Sequence, residues 1–60
     1  MFVIVRRRGS VIMWLASIVP QLWGDKYQAM RFSSPDEARR AAVVLKLSGD
    51  WTIEPAGAPP

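Results

Sequence analysis

The chain has 60 residues and contains neither cysteine nor histidine. The first absence excludes disulfides and thiolate metal sites. The second removes the commonest general base and the commonest nitrogen ligand for a metal. Acid is scarce as well: the carboxylates are Asp25, Asp36, Glu37, Asp50 and Glu54. Four of these fit structural roles in turns, a helix cap or a strand end, which leaves little for acid–base chemistry. The expectation is therefore a protein that is not an enzyme, with no catalytic residue, no metal ligand, no cofactor-binding residue and no cofactor. The lack of cysteine also fits a reducing, cytoplasmic setting.

A long uninterrupted apolar run is missing too. Arg6, Arg7 and Arg8 precede a mostly apolar stretch that reaches Trp23, an order that superficially resembles a membrane-targeting segment. In a signal segment the basic residues come first, whereas here "MFVIV" precedes them. Ser17, Pro20 and Gln21 interrupt the stretch, and a spanning helix needs about 20 apolar residues. No membrane association is expected.

A chain of this size makes one domain and buries only about 60% of its unfolded surface. Without disulfides or a metal, such domains often lean on a partner. Half the residues are hydrophobic, which argues against disorder. The net charge of +3 suits a polyanionic partner, but many ordinary domains carry as much. A protein that imitates DNA is excluded, because it would be strongly acidic.

"FVIVRR" (2–7) is β-branched and aromatic and reads as a strand. Gly9 supplies a turn, and "VIMWLA" (11–16) reads as the returning strand, so Arg6–Arg8 form the basic tip of a hairpin. Alternation sets Val3 and Val5 against Phe2 and Ile4, and Val11, Met13 and Leu15 against Ile12 and Trp14. Both faces of the hairpin are thus apolar, although one helix covers only one of them. Pro20 and Gly24 break the stretch 17–28, which reads as an apolar loop with or without one helical turn. Residues 27–32 read as a third short strand or as an extended run into the helix.

The helix carries the strongest signals. Ser34 is its expected N-cap, Pro35 opens the first turn, and Glu37 completes a capping box. Lys46 suits the negative end of the helix dipole, and Gly49 is the expected stop. Ala38, Ala41, Ala42 and Leu45 form one stripe. Asp36 and Arg40 stand four apart as an expected pair. Val43, Val44 and Leu47 fall off the stripe and are either part of a broad buried face or a surface for a second copy. Trp51 and Ile53 alternate with Thr52 and Glu54 in a final strand, and residues 56–60 read as a disordered tail. The predicted fold is α+β: a small antiparallel sheet of three to four strands with one helix packed on one face, in the order β-β-(β)-α-β, as a single domain over 1–55. Pairing of the last strand with the first would place the N-terminal strand inside the sheet.

Two kinds of contact surface are visible. The basic residues Arg6, Arg7, Arg8, Lys26, Arg31, Arg39 and Arg40 could meet phosphates if they share a face. Consecutive strand residues do not share one, so the three hairpin arginines must diverge. Trp14 and Tyr27 could stack bases, although tryptophan in a small chain is first of all core. The second surface is the apolar surplus of Ile18, Leu22 and Trp23, which either folds back over the sheet or meets a partner. The predicted partner contacts are Arg6, Arg7, Arg8, Ile18, Leu22, Trp23 and Lys26. Val43, Val44 and Leu47 are the candidates for self-association, with monomer and homodimer both open.

The succession "FVIVRR…G…W", "AMRFSSPDEARRAAVVL" and "WTIEPA" resembles a group of very small accessory proteins encoded by bacteriophages and mobile elements. Their pattern is a hairpin, an A-x-R-F segment, an S-x-x-E-A helix and a last strand opening on Trp. Here the resemblance covers roughly residues 2–55 through Phe32, Ser34, Glu37, Ala38 and Trp51, and departs at 17–28, which is more apolar than the polar turn expected there. It implies no catalytic residue. It implies instead a non-enzymatic inhibitor, of the anti-CRISPR type, that binds a host protein or ribonucleoprotein complex in the bacterial cytoplasm and blocks it sterically. A small basic nucleic-acid-binding module and a self-associating structural protein are the alternatives.

Overall fold

A computed structural model describes residues 1–47 and 49–57. Its order is β1 (Phe2–Arg8), β2 (Val11–Ser17), β3 (Leu22–Gly24), a 3-10 turn (Lys26–Gln28), α1 (Pro35–Val44) and β4 (Trp51–Pro55). The strands form one antiparallel sheet in the order β3-β2-β1-β4. The expected α+β architecture is therefore the one observed, with β1 inside.

The hairpin closes between Arg8 and Val11, which pair directly. Gly9 has φ 60° and Ser10 does not share a positive φ. A two-residue loop with glycine at its first position is the tight connection whose twist matches the strands. In β1 the odd and even residues then take opposite faces. Ile4 pairs with Ile53 and looks toward α1, where it is fully buried with Leu15, Phe32 and the alanine stripe Ala38, Ala41 and Ala42. The alanines have no long side chains to hold the helix off, so α1 lies close to β1 and β4.

The start of α1 follows the expected capping. The Glu37 amide donates to Ser34 Oγ at 3.2 Å, while the Glu37 carboxylate accepts from the Ser33 amide at 3.1 Å. Hydrogen bonding from Ser33, from its side chain first and its amide second, holds the Glu37 carboxyl below the usual carboxylate range. Asp36 pairs with Arg39 at 3.0 Å, one residue nearer than the expected Arg40.

The end of the helix differs from the sequence expectation. The helix stops at Val44 with Leu45 as its cap, and Lys46, not Gly49, takes the left-handed conformation at φ 55°. The Lys46 amide donates to the Val43 carbonyl and the Leu47 amide to the Ala42 carbonyl, the paired bonds of a Schellman turn. The reversal carries Leu47 back onto the core, where it is half-buried. Gly49, at φ 88°, serves the next turn instead. A lysine in this conformation pays the Cβ clash that glycine avoids, of the order of 1–2 kcal/mol. Lys46→Gly is therefore expected to raise stability by about 1 kcal/mol, less the entropy that glycine adds to the unfolded chain. Urea denaturation measures this, and an unchanged or lower midpoint would contradict the capping role.

The stretch 17–28 holds more structure than a loop. Leu22 pairs with Ser17 and Trp23 with Leu15 across an irregularity in β2, so the third strand is Leu22–Gly24 and not 27–32. Asp25 accepts from the amides of Tyr27 and Gln28 and caps the 3-10 turn. The chain then extends, and Phe32 makes a single bridge with Phe2. Of the expected tail at 56–60, Ala56 still donates to the Met1 carbonyl at 2.8 Å; residues 58–60 lie outside the described residues. No helix is long and apolar enough to cross a membrane among the described residues.

Candidate functional site

The sheet has two unlike faces. Leu15, Trp23, Trp51 and Ile53 join Ile4 on the helix side. The other side carries Val3, Val5 and Arg7 from β1, Ile12 and Trp14 from β2, and Thr52 and Glu54 from β4, as the alternation and the registers Val5↔Trp14, Val5↔Thr52 and Val3↔Glu54 require. No helix covers this side, yet Val3 and Val5 are buried. Trp14 stands directly opposite Val5 and shares with Val3 a cleft of about 220 Å3. Lys26, Arg31 and Glu54 line the same cleft. It therefore has an apolar floor, a half-buried indole and a mixed, mainly cationic rim. Tyr27, next to this rim, is 86% exposed with the Lys26 ammonium 5.4 Å from its ring centre.

The three hairpin arginines diverge as alternation requires, and each meets a group of its own chain. Arg6 turns to the helix side, where its guanidinium lies 4.1 Å from the Trp23 ring centre, a cation–π contact. Its Nε is buried, although the residue as a whole is half-buried, and has no hydrogen-bond partner among the described residues. Arg7 donates to the Glu54 carboxylate on the helix-free side, a hydrogen bond that raises the Arg7 pKa above its ordinary value. Arg8 Nε lies 3.3 Å from Asp50. Ion pairs between side chains this exposed are individually weak and are screened by salt.

The apolar half of the expected contact set divides. Ile18 and Trp23 are half-buried and pack against the core, with Trp23 Nε1 donating to Gln21 at 3.2 Å, whereas Leu22 is exposed. Lys26 lies at the cleft. Among the self-association candidates, Val43 and Val44 are each 71% exposed and share with Asp36, Arg39 and Arg40 an open hollow on the outer side of α1. Leu47 belongs to the core edge instead.

The structure thus draws Trp14 and Arg31 into a site with Lys26. Trp14 was readable as a base-stacking candidate from the sequence, but nothing there separated it from the core tryptophans. The register does: once Leu15 faces the helix, its neighbour must face away. Among the described residues no group of three acidic, cysteine or histidine side chains could hold a metal ion. Comparison with protein-family models, with curated proteins and with solved structures gave no match.

Proposed function

We propose that this chain is a non-catalytic binding protein that covers part of a larger partner and blocks it, with the helix-free face of the sheet as its contact surface. The observation that carries this reading is Trp14, half-buried on the helix-free face of the sheet and sharing a cleft with Lys26 and Arg31. Tryptophan and arginine are the side chains that most often dominate binding energy. A standard interface takes about 800 Å2 from each partner, roughly a fifth of this chain's 4290 Å2. One face of so small a molecule is enough. In its concrete form the partner is a protein or ribonucleoprotein complex of a bacterial host, as for an anti-CRISPR-type inhibitor.

Affinity capture from a host lysate tests the reading when the variants are run beside the parent. The parent is expected to retain one complex, Trp14→Ala to lose at least about 90% of it, and Val43→Asp on the far side of α1 to keep it. Circular dichroism checks that each variant is folded. Equal capture by a folded Trp14→Ala variant, or loss only with Val43→Asp, would contradict the choice of face.

A further inference from the structure

We infer that the occupant of the helix-free face is a single-stranded nucleic acid, held by bases stacked on Trp14 and Tyr27 and by phosphates on Lys26 and Arg31. This rests on the reading of that face as the contact surface and adds what chemistry it meets.

Charge is the first reason. The acid lining the cleft is Glu54, and Arg7 already neutralises it. Neither Lys26 nor Arg31 has an ion-pair partner among the described residues. Among the described residues the cleft therefore offers uncompensated positive charge, which attracts a polyanion and releases its counterions.

The aromatic groups then decide which polyanion. Trp14 forms part of the cleft wall above the apolar Val3, and Tyr27 is 86% exposed beside Lys26. A tyrosine this open contributes little to the core, and with Lys26 over one side of the ring its other side is free. Bases stack on such rings without regard to sequence, at about 1–3 kcal/mol each. An acidic peptide would use the two cations but meets the rings only where it carries an aromatic residue, whereas every nucleotide carries a base. A duplex hides its base faces and is read by a helix or ribbon in a groove. Here the helix turns Val43, Val44 and the Asp36–Arg39 pair outward, a poor match for a phosphate-lined groove.

Fluorescence anisotropy of the full chain with labelled oligo-dT and oligo-U of about 15 nucleotides tests this. Both are expected to bind at low salt, more tightly than a duplex of equal length. Two phosphate contacts give a slope of log affinity on log salt of about −1.4. Lys26→Gln with Arg31→Gln is expected to flatten that slope toward zero. Trp14→Ala is expected to weaken binding by about 5–150-fold, with Trp14→Phe recovering most of it. If Trp14→Ala does not fold, the exposed-site double variant and Trp14→Phe still decide the matter.

Absence of binding to both oligonucleotides by folded protein at about 20 mM salt would overturn the inference, as would full binding by the double variant. The two readings fail separately. Capture of a host complex that survives nuclease treatment and still needs Trp14, with no oligonucleotide binding, would overturn the nucleic acid as occupant and leave the contact face standing. Capture indifferent to Trp14 would remove both.

Discussion

Replacing Ile4 with alanine is expected to cost about 2–5 kcal/mol of folding stability. Ile4 is fully buried at the middle of the central strand, opposite Ile53 and in the cluster with Leu15 and the alanines of α1. Truncation leaves a cavity that neither neighbouring strand can fill, because their registers are fixed by backbone pairing on both sides of β1. At roughly 0.05–0.15 kcal/mol per residue, the whole chain is worth only about 3–9 kcal/mol. The variant is thus expected to be partly or wholly unfolded at 37 °C. Val43→Ala, at a position 71% exposed, is the control and should stay within about 0.5 kcal/mol of the parent. Chemical denaturation followed by far-ultraviolet circular dichroism measures both. A loss below about 1 kcal/mol for Ile4→Ala would show that the core does not centre on β1.

The second large effect is expected from the opposite change, Ala38→Leu. Ala38 is fully buried between α1 and the sheet. The added branched carbons have no space unless the helix lifts, and lifting it would loosen Phe32 and Leu45 as well. Overpacking of this kind costs about 1–3 kcal/mol. Leucine introduced on the outer face instead, as Val44→Leu, adds a methylene at a 71% exposed position and is expected to be nearly neutral. Thermal unfolding of the two variants separates helix propensity, which leucine satisfies well in both, from the close approach of α1 to the sheet. Equal melting temperatures would contradict that close approach.

The elements legible in the sequence are those fixed by local chemistry. Gly9 sets the hairpin because its φ suits the two-residue loop, and Ser34 and Glu37 set the helix start because a side-chain oxygen must meet orphan amides. The elements that were not legible are those decided at a distance. Lys46 ends the helix because Leu47 must return to the core, a demand stronger than the steric preference for Gly49. Leu22–Gly24 is a strand because Trp23 fits beside Leu15, although three residues between Pro20 and Asp25 carry no period to recognise.

The site was legible to the same extent. Alternation foretold that Arg6, Arg7 and Arg8 would part, and they do. Which tryptophan stays outside the core depends on the β1–β2 register, and no spacing in the chain announces it. Arg31 comes to the cleft because backbone hydrogen bonds hold Met30 to Leu15 and Phe32 to Phe2, both with side chains toward the core, so the residue between them faces the other side.

Trp14 also has a structural part to play. It stands beside Val5, which is buried although no helix lies over it. Trp14→Ala therefore exposes apolar surface as well as removing a contact, and a loss of binding has to be read beside Trp14→Phe and the Lys26 and Arg31 variants.

The most direct measurement is a footprint on the protein itself: amide and indole chemical-shift changes in the isotopically labelled chain as a single-stranded oligonucleotide is added. The expected result is a contiguous set at Val3, the Trp14 indole, Lys26, Tyr27 and Arg31, with Val43 and Val44 unmoved. Shifts centred on Val43 and Val44, or no shift at low salt, would contradict the helix-free sheet face as the binding surface for a nucleic acid.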